Sequence, residues 1–237
     1  MMPLIENGQL ISFWLVILLL IVREDKGATM KVLTVNITSV VHEGEWTGSE
    51  GKTGIDKRSA IGAIKFANEQ LENDVIVDRK HHGGYHQAVY AYAREDADWW
   101  EKELGTSIDN GRFGENLTTV GIDVNASIIG EQWKIGSTIL EVSQPRIPCR
   151  VFAGFWNRPT LIKEFMTAGK PGTYLRIMQE GEIQAGDEIE VIHVPSHGIK
   201  ISDLYAAKNG DRSKINVIAE VKELSPEYKE WAKNLLS

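Results

Sequence analysis

Residues 31–41 mix apolar and polar positions and are rich in Val, Ile and Thr, the texture of a strand. Residues 43–59 break that texture with glycines at 44, 48, 51 and 54 and read as a loop. Val75-Ile76-Val77 then leads into His81-His82-Gly83-Gly84, and residues 88–92 form another short strand. Residues 95–104 place charges around Trp99 and Trp100 and end at Gly105, which predicts a helix with a glycine stop. Residues 111–117 are a glycine-punctuated loop. From 128 to 142 short apolar runs alternate with Gly130 and Gly136, the mark of tight β-corners. Residues 159–168 carry apolar side chains at 161, 162, 165 and 166, a helical spacing closed by Gly169. Strands over 174–178 and 188–194 are joined through the turn Gln184-Ala185-Gly186-Asp187.

After Pro195 the texture changes. Ser202 can cap a helix over 203–208, a second helix fits 214–223, and Ser225-Pro226-Glu227 starts a third with a cap, a proline at the first position and an early acid. Many short strands with glycine corners and a few inserted helices predict a mainly β fold. A partly closed β-barrel over 30–195, followed by a three-helix module over 197–237, suits that pattern better than βαβ units. The helical tail carries nearly balanced charge and no basic face, so it reads as a docking or lid element rather than a nucleic-acid reader.

The first 29 residues stand apart. Residues 10–22 are apolar apart from Ser12, but 13 residues fall short of the roughly 20 that span a bilayer. Only Glu6 is charged before this run, and Arg23-Glu24-Asp25-Lys26 follows it, unlike a signal peptide. Three readings stay open: an upstream extension before a start at Met30, a weak membrane anchor, or a buried or disordered tail.

Composition narrows the chemistry. The 237 residues hold one cysteine, Cys149, which excludes an internal disulfide, a four-cysteine zinc site and an iron–sulfur cluster held by four cysteines of this chain. A net charge of −7 argues against a nucleic-acid scaffold; membrane association is not expected, and the cytoplasm is the expected compartment. Neither a phosphate-binding glycine loop before a helix nor a Gly-x-Ser-x-Gly elbow occurs.

Three segments can carry chemistry. Cys149 lies in Ser143-Gln144-Pro145-Arg146-Ile147-Pro148-Cys149-Arg150, where two prolines stiffen the chain and two arginines can favour thiolate. A thiolate there is a nucleophile or a soft-metal ligand; the alternative is a buried structural cysteine. His81-His82-Gly83-Gly84 lets backbone approach a ligand beside a proton carrier, or is a plain turn; His81, His82 and His86 lack the helical spacing of a zinc motif. Glu115 and Asn116 in the 111–117 loop either bind a polar heterocycle or stitch the loop to itself.

These segments together resemble the MOSC family, the domain related to the C-terminal part of molybdenum cofactor sulfurases. The matching pieces are Lys52-Thr53-Gly54-Ile55-Asp56-Lys57, His81-His82-Gly83-Gly84 with Ala88-Val89-Tyr90-Ala91-Tyr92, residues 111–117, residues 143–149, and Gly172-Thr173-Tyr174-Leu175-Arg176 with Gln184-Ala185-Gly186-Asp187, in the family's order. The bacterial stand-alone members that protect against 6-N-hydroxylaminopurine are the nearest in kind. The resemblance implies a β-barrel that binds a molybdenum–pterin cofactor, with Cys149 as the molybdenum ligand. The family's association with pyridoxal phosphate binding comes with it. It implies detoxifying reduction of N-hydroxylated bases, with Arg146, Arg150 and Arg176 toward the pterin phosphate. Gly83, Gly84, Glu115 and Asn116 would face the pterin, and His82 or His81 would move the proton. With one cysteine the chain needs a separate flavin or iron–sulfur protein as electron donor. A sulfur-carrier or cofactor-handling role, with a persulfide on Cys149, is the alternative.

Overall fold

The computed structural model describes residues 29–236. The readings of the apolar extension fall on residues 1–28, outside the described residues, apart from residue 29 itself. In chain order the elements are β1 (Lys31–Glu43), β2 (Lys52–Ser59), β3 (Ile64–Ala67), β4 (Gln70–Leu71), β5 (Val89–Ala93), α1 (Arg94–Leu104), β6 (Leu117–Val120), β7 (Gln132–Ile135) and β8 (Thr138–Pro145). They continue with α2 (Arg150–Phe155), α3 (Leu161–Ala168), β9 (Thr173–Gln179), β10 (Gly181–Ile183), β11 (Ile189–His193), α4 (Ile201–Lys208), α5 (Ile215–Ala219) and α6 (Pro226–Asn234).

Eight strands form one mixed sheet in the order β11-β7-β8-β9-β5-β6-β1-β2, and β10-β3-β4 form a small second sheet. β5 and β6 are the parallel pair, joined by the crossover through α1. The large sheet curls toward itself. Val32 N–H donates to the Asp187 carbonyl at 2.9 Å, Gly186 N–H to Val32 at 2.8 Å, and Ile189 N–H to Met30 at 2.8 Å. A single bridge, Lys31 to Glu188, marks that seam, without the continuous ladder of a closed barrel.

β5 shows why the core divides. All five of its residues are buried. Strand alternation sends Val89, Ala91 and Ala93 into one apolar cluster with Leu117, Trp133, Leu140 and Leu175. It sends Tyr90 and Tyr92 into a second, aromatic cluster with Trp100, Phe113, Phe152 and Phe165. α1, α2 and α3 supply much of that second cluster, and Cys149 packs against it.

The segment expected to be a loop, 43–59, contains β2, paired antiparallel with β1 from Asn36↔Ser59 to Glu43↔Lys52. Its inward positions are Gly54, Asp56 and Lys57 rather than an apolar stripe, so hydrophobic patterning hides it. Gly54 is required by close approach: a Cβ there would lie 2.3 Å from the Val75 carbonyl. The tail holds three helices, but their apolar residues, including Leu204, Ile215, Ile218 and Ala232, share the first cluster with the sheet. The second helix spans Ile215–Ala219, shorter than the pattern suggested. The third begins as expected, with Ser225 Oγ accepting Tyr228 N–H at 3.4 Å.

Candidate active site

One cleft of about 130 Å³ gathers residues from the segments the sequence singled out. Its walls include Ile55 and Lys57 of β2, residues 75–78, His82 and Gly83, Tyr90 of β5, Phe113 and Asn116, Arg146, Cys149 and Val151, and Tyr174 of β9. Gly83 takes φ of 77°, a left-handed conformation that suits glycine, where the 82–84 turn passes Ile76.

Arg146 follows directly after β8 and is 5% exposed. Its guanidinium packs over aromatic rings, with Cζ 3.8 Å from the Phe152 centroid and 5.7 Å from Tyr90. Its Nη1 is sealed from solvent and has no hydrogen-bond partner. Nor does any carboxylate pair with it among the described residues. A buried cation left in this state is costly unless a ligand answers it.

Cys149 is partly buried and stands at the N-cap of α2 with extended backbone geometry. Burial raises its thiol, but the His82 imidazole, the Arg146 charge and the Phe152 backbone N–H outweigh that and bring it down to about 7. At neutral pH a large share of this thiol is therefore thiolate. Tyr174 also faces the cleft. Burial, with a smaller push from Cys149 against a pull from Arg146, holds its phenol up at about 12.

Two lining residues, Lys57 and Asn116, belong to a buried polar network that hydrophobic patterning misses. Lys57 Nζ pairs with Asp74 Oδ2. Asn116 Nδ2 donates to the same oxygen at 2.9 Å, while Thr38 donates to Oδ1 through its N–H at 3.0 Å and its hydroxyl at 2.9 Å. Burial raises Asp74, but Lys57, Asn116 and Thr38 outweigh it and hold the carboxyl below its usual range. Burial pulls Lys57 below its ordinary value against the pull of Asp74 and Glu115.

Of the residues proposed from sequence, Cys149, His82, Gly83, Asn116 and Arg146 line the cleft. Asn116 is already committed: its Oδ1 accepts Tyr90 N–H at 3.1 Å, and its Nδ2 reaches Asp74. The others lie elsewhere. Glu115 is buried and stitches its own loop, accepting from Gly111 N–H at 2.6 Å, Phe113 N–H at 3.0 Å and Thr118 Oγ1 at 2.8 Å. His81 is exposed and sits 3.0 Å from Asp78. Gly84 and Arg150 are not among the lining residues, and Arg150 is exposed. Arg176 is spent on structure: it pairs with Glu141 at 2.6 Å, donates to His86 Nδ1 at 2.9 Å and to the Glu223 carbonyl at 2.5 Å. The sequence reading passed over Lys57 and Asp74 as chemistry. Their signal is weak: Lys57 closes a glycine-rich stretch and Asp74 follows Glu72 and Asn73, so both look solvated.

Among the described residues no group of three or more His, Cys, Asp or Glu could hold a metal by itself. Nor is any described helix long and apolar enough to cross a membrane. A solved structure shares this arrangement of elements, and other proteins match the chain in sequence. An uncharacterised protein, YflK of Bacillus subtilis, is 32% identical over 157 residues, spanning 66% of this chain and 71% of its own length. A protein named reductase from Gibberella moniliformis is 29% identical over 147 residues, and the chain spans about a quarter of it (26%). The crystal structure of YiiM from Geobacillus stearothermophilus superposes with a TM-score of 0.73 at 25% identity, covering 88% of this chain and all of that one. The sequence model described as the MOSC domain matches residues 78–190, from the His-Gly-Gly turn through Cys149 to β11, and with these relatives it shows that the chain belongs to the MOSC family.

Proposed function

We propose that this protein is a molybdenum-cofactor-dependent reductase of N-hydroxylated compounds. The observation that carries the reading is the buried, unpaired Arg146 guanidinium beside Cys149 in one cleft. A metal at this thiolate must bring its other ligands with it, which suits a cofactor whose own sulfurs bind the metal. An anionic cofactor also answers the Arg146 charge. The residues present therefore fit the group.

Bound there, the cofactor supplies two-electron redox chemistry. Cys149 would hold the metal as a soft thiolate. Arg146 would answer its negative charge, and the apolar side chains of Ile55, Ile76, Val77 and Val151 would exclude water around it. Reduction of N–OH to N–H takes up two electrons and two protons and releases water. His82, facing the thiol in the same cleft, is placed to pass one of those protons. A separate flavin or iron–sulfur protein is the proposed electron donor. N-hydroxylated bases such as 6-N-hydroxylaminopurine are the proposed substrates, and the cytoplasm the proposed compartment. Protein from cofactor-competent cells is expected to carry molybdenum and pterin, and Cys149→Ser to lose the metal. Wild type without molybdenum, or Cys149→Ser with undiminished metal, overturns the reading.

A second reading is favoured by the same free thiol: a sulfur carrier with a persulfide on Cys149. Intact mass spectrometry with and without reductant separates the two, since only the carrier shows a reducible adduct of one sulfur atom.

A further inference from the structure

The aromatic cluster around the cleft contains four tyrosines, and three of their hydroxyls are satisfied by main chain. Tyr90 donates to the Pro171 carbonyl at 2.7 Å, Tyr92 to Lys170 at 3.2 Å, and Tyr205 to Phe165 at 3.2 Å. Tyr174 is the exception: among the described residues its hydroxyl has no hydrogen-bond partner. Its ring is nonetheless fixed. Strand pairing sets Tyr174 opposite Tyr90 on one side and Gln144 on the other, and the Tyr90 and Tyr174 ring centroids lie 5.2 Å apart. The side chain lines the cleft together with Arg146 and Cys149, and these two are its charged neighbours. A rigid phenol with a free donor, lining one cleft with Arg146 and Cys149, is built to meet an oxygen that is not part of the protein.

We propose that the Tyr174 hydroxyl binds the N-bound oxygen of the substrate by donating a hydrogen bond to it, and so selects the hydroxylated compound over its reduced product. This rests on the reductase reading above and names the group that recognises the N–OH. The reduced product lacks that oxygen and leaves the phenol unpaired, so Tyr174 also favours release after turnover.

The test compares wild type and Tyr174→Phe, which removes the hydroxyl and keeps the ring. Titration calorimetry with 6-N-hydroxylaminopurine and with adenine reads the affinity for each. Wild type is expected to prefer the hydroxylated base. Tyr174→Phe is expected to weaken that base by about three- to tenfold and to leave adenine within about twofold. Equal losses for both bases assign Tyr174 to packing and overturn the proposal, as do two unchanged affinities or a wild type that does not discriminate. A fall in molybdenum content in Tyr174→Phe overturns it too, by assigning the hydroxyl to the cofactor. A wild type free of molybdenum that still discriminates sinks the reductase reading and leaves the role of Tyr174 standing.

Discussion

The Arg146 guanidinium packs over Phe152 with Cζ 3.8 Å from the ring centroid and Nη1 buried and unpaired. The aromatic cage holds the cation in place without neutralising it. Arg146→Met keeps the length and removes the charge. The cofactor-free variant is expected to be more stable than cofactor-free wild type by about 1–3 kcal/mol, the penalty of an unsatisfied buried polar group. It is expected to retain less than about a tenth of the molybdenum, one lost charge-assisted contact being worth over 1.4 kcal/mol. Urea unfolding and metal analysis read the two effects. A variant that loses stability and keeps its metal removes Arg146 from the site.

The Cys149 thiol titrates near 7 because His82, Arg146 and the Phe152 N–H outweigh burial. In cofactor-free protein, iodoacetamide labelling is expected to rise with pH through a midpoint of about 7, well below that of an ordinary cysteine at about 8.5. His82→Ala removes one of the lowering groups, so its midpoint moves up. A midpoint unchanged in His82→Ala separates the imidazole from the thiol.

Much of this cleft is legible in the sequence because its loops are marked by unusual residues: prolines on both sides of Arg146, and a glycine pair after His82. What is not legible comes from buried polarity. β2 turns Asp56 and Lys57 inward, where His42 and Asp74 meet them, and so carries no apolar stripe. Arg176 lies within a matching motif, yet its function depends on Glu141, His86 and the Glu223 carbonyl, partners 35, 90 and 47 residues away. Tyr174 differs from the other tyrosines of its cluster only in what its hydroxyl lacks, and no spacing rule reports that.

The Lys57–Asp74 pair ties β2 to the residue just before the cleft-lining segment 75–78. Asp74→Ala leaves a buried ammonium unanswered and is expected to cost about 3–5 kcal/mol, read by urea unfolding. The folded Asp74 carboxyl titrates below its unfolded value, so its contribution is present above about pH 4 and is lost as pH falls through the folded pKa. Wild type is therefore expected to lose more stability between pH 5 and 2 than Asp74→Ala does, and parallel losses would remove Asp74 from the acid response.

Arg176 joins the sheet to the tail, and its role there predicts a variant that spares the cleft. Its guanidinium is almost fully buried, bonded to Glu141 on β8, to His86 before β5 and to the carbonyl of Glu223 between α5 and α6. His86 accepts through Nδ1, which places its own proton on Nε2, and burial together with the charges of Arg176 and Lys229 keeps the ring below its usual pKa. Arg176→Met strands the Glu141 carboxylate and frees the Glu223 carbonyl. The expected cost is about 3–5 kcal/mol, with faster hydrogen exchange concentrated in α5 and α6. Because Arg176 does not line the cleft, the Cys149 labelling midpoint is expected to stay at about 7. If that midpoint moves while exchange in the tail does not, Arg176 acts on the cleft and not on the tail.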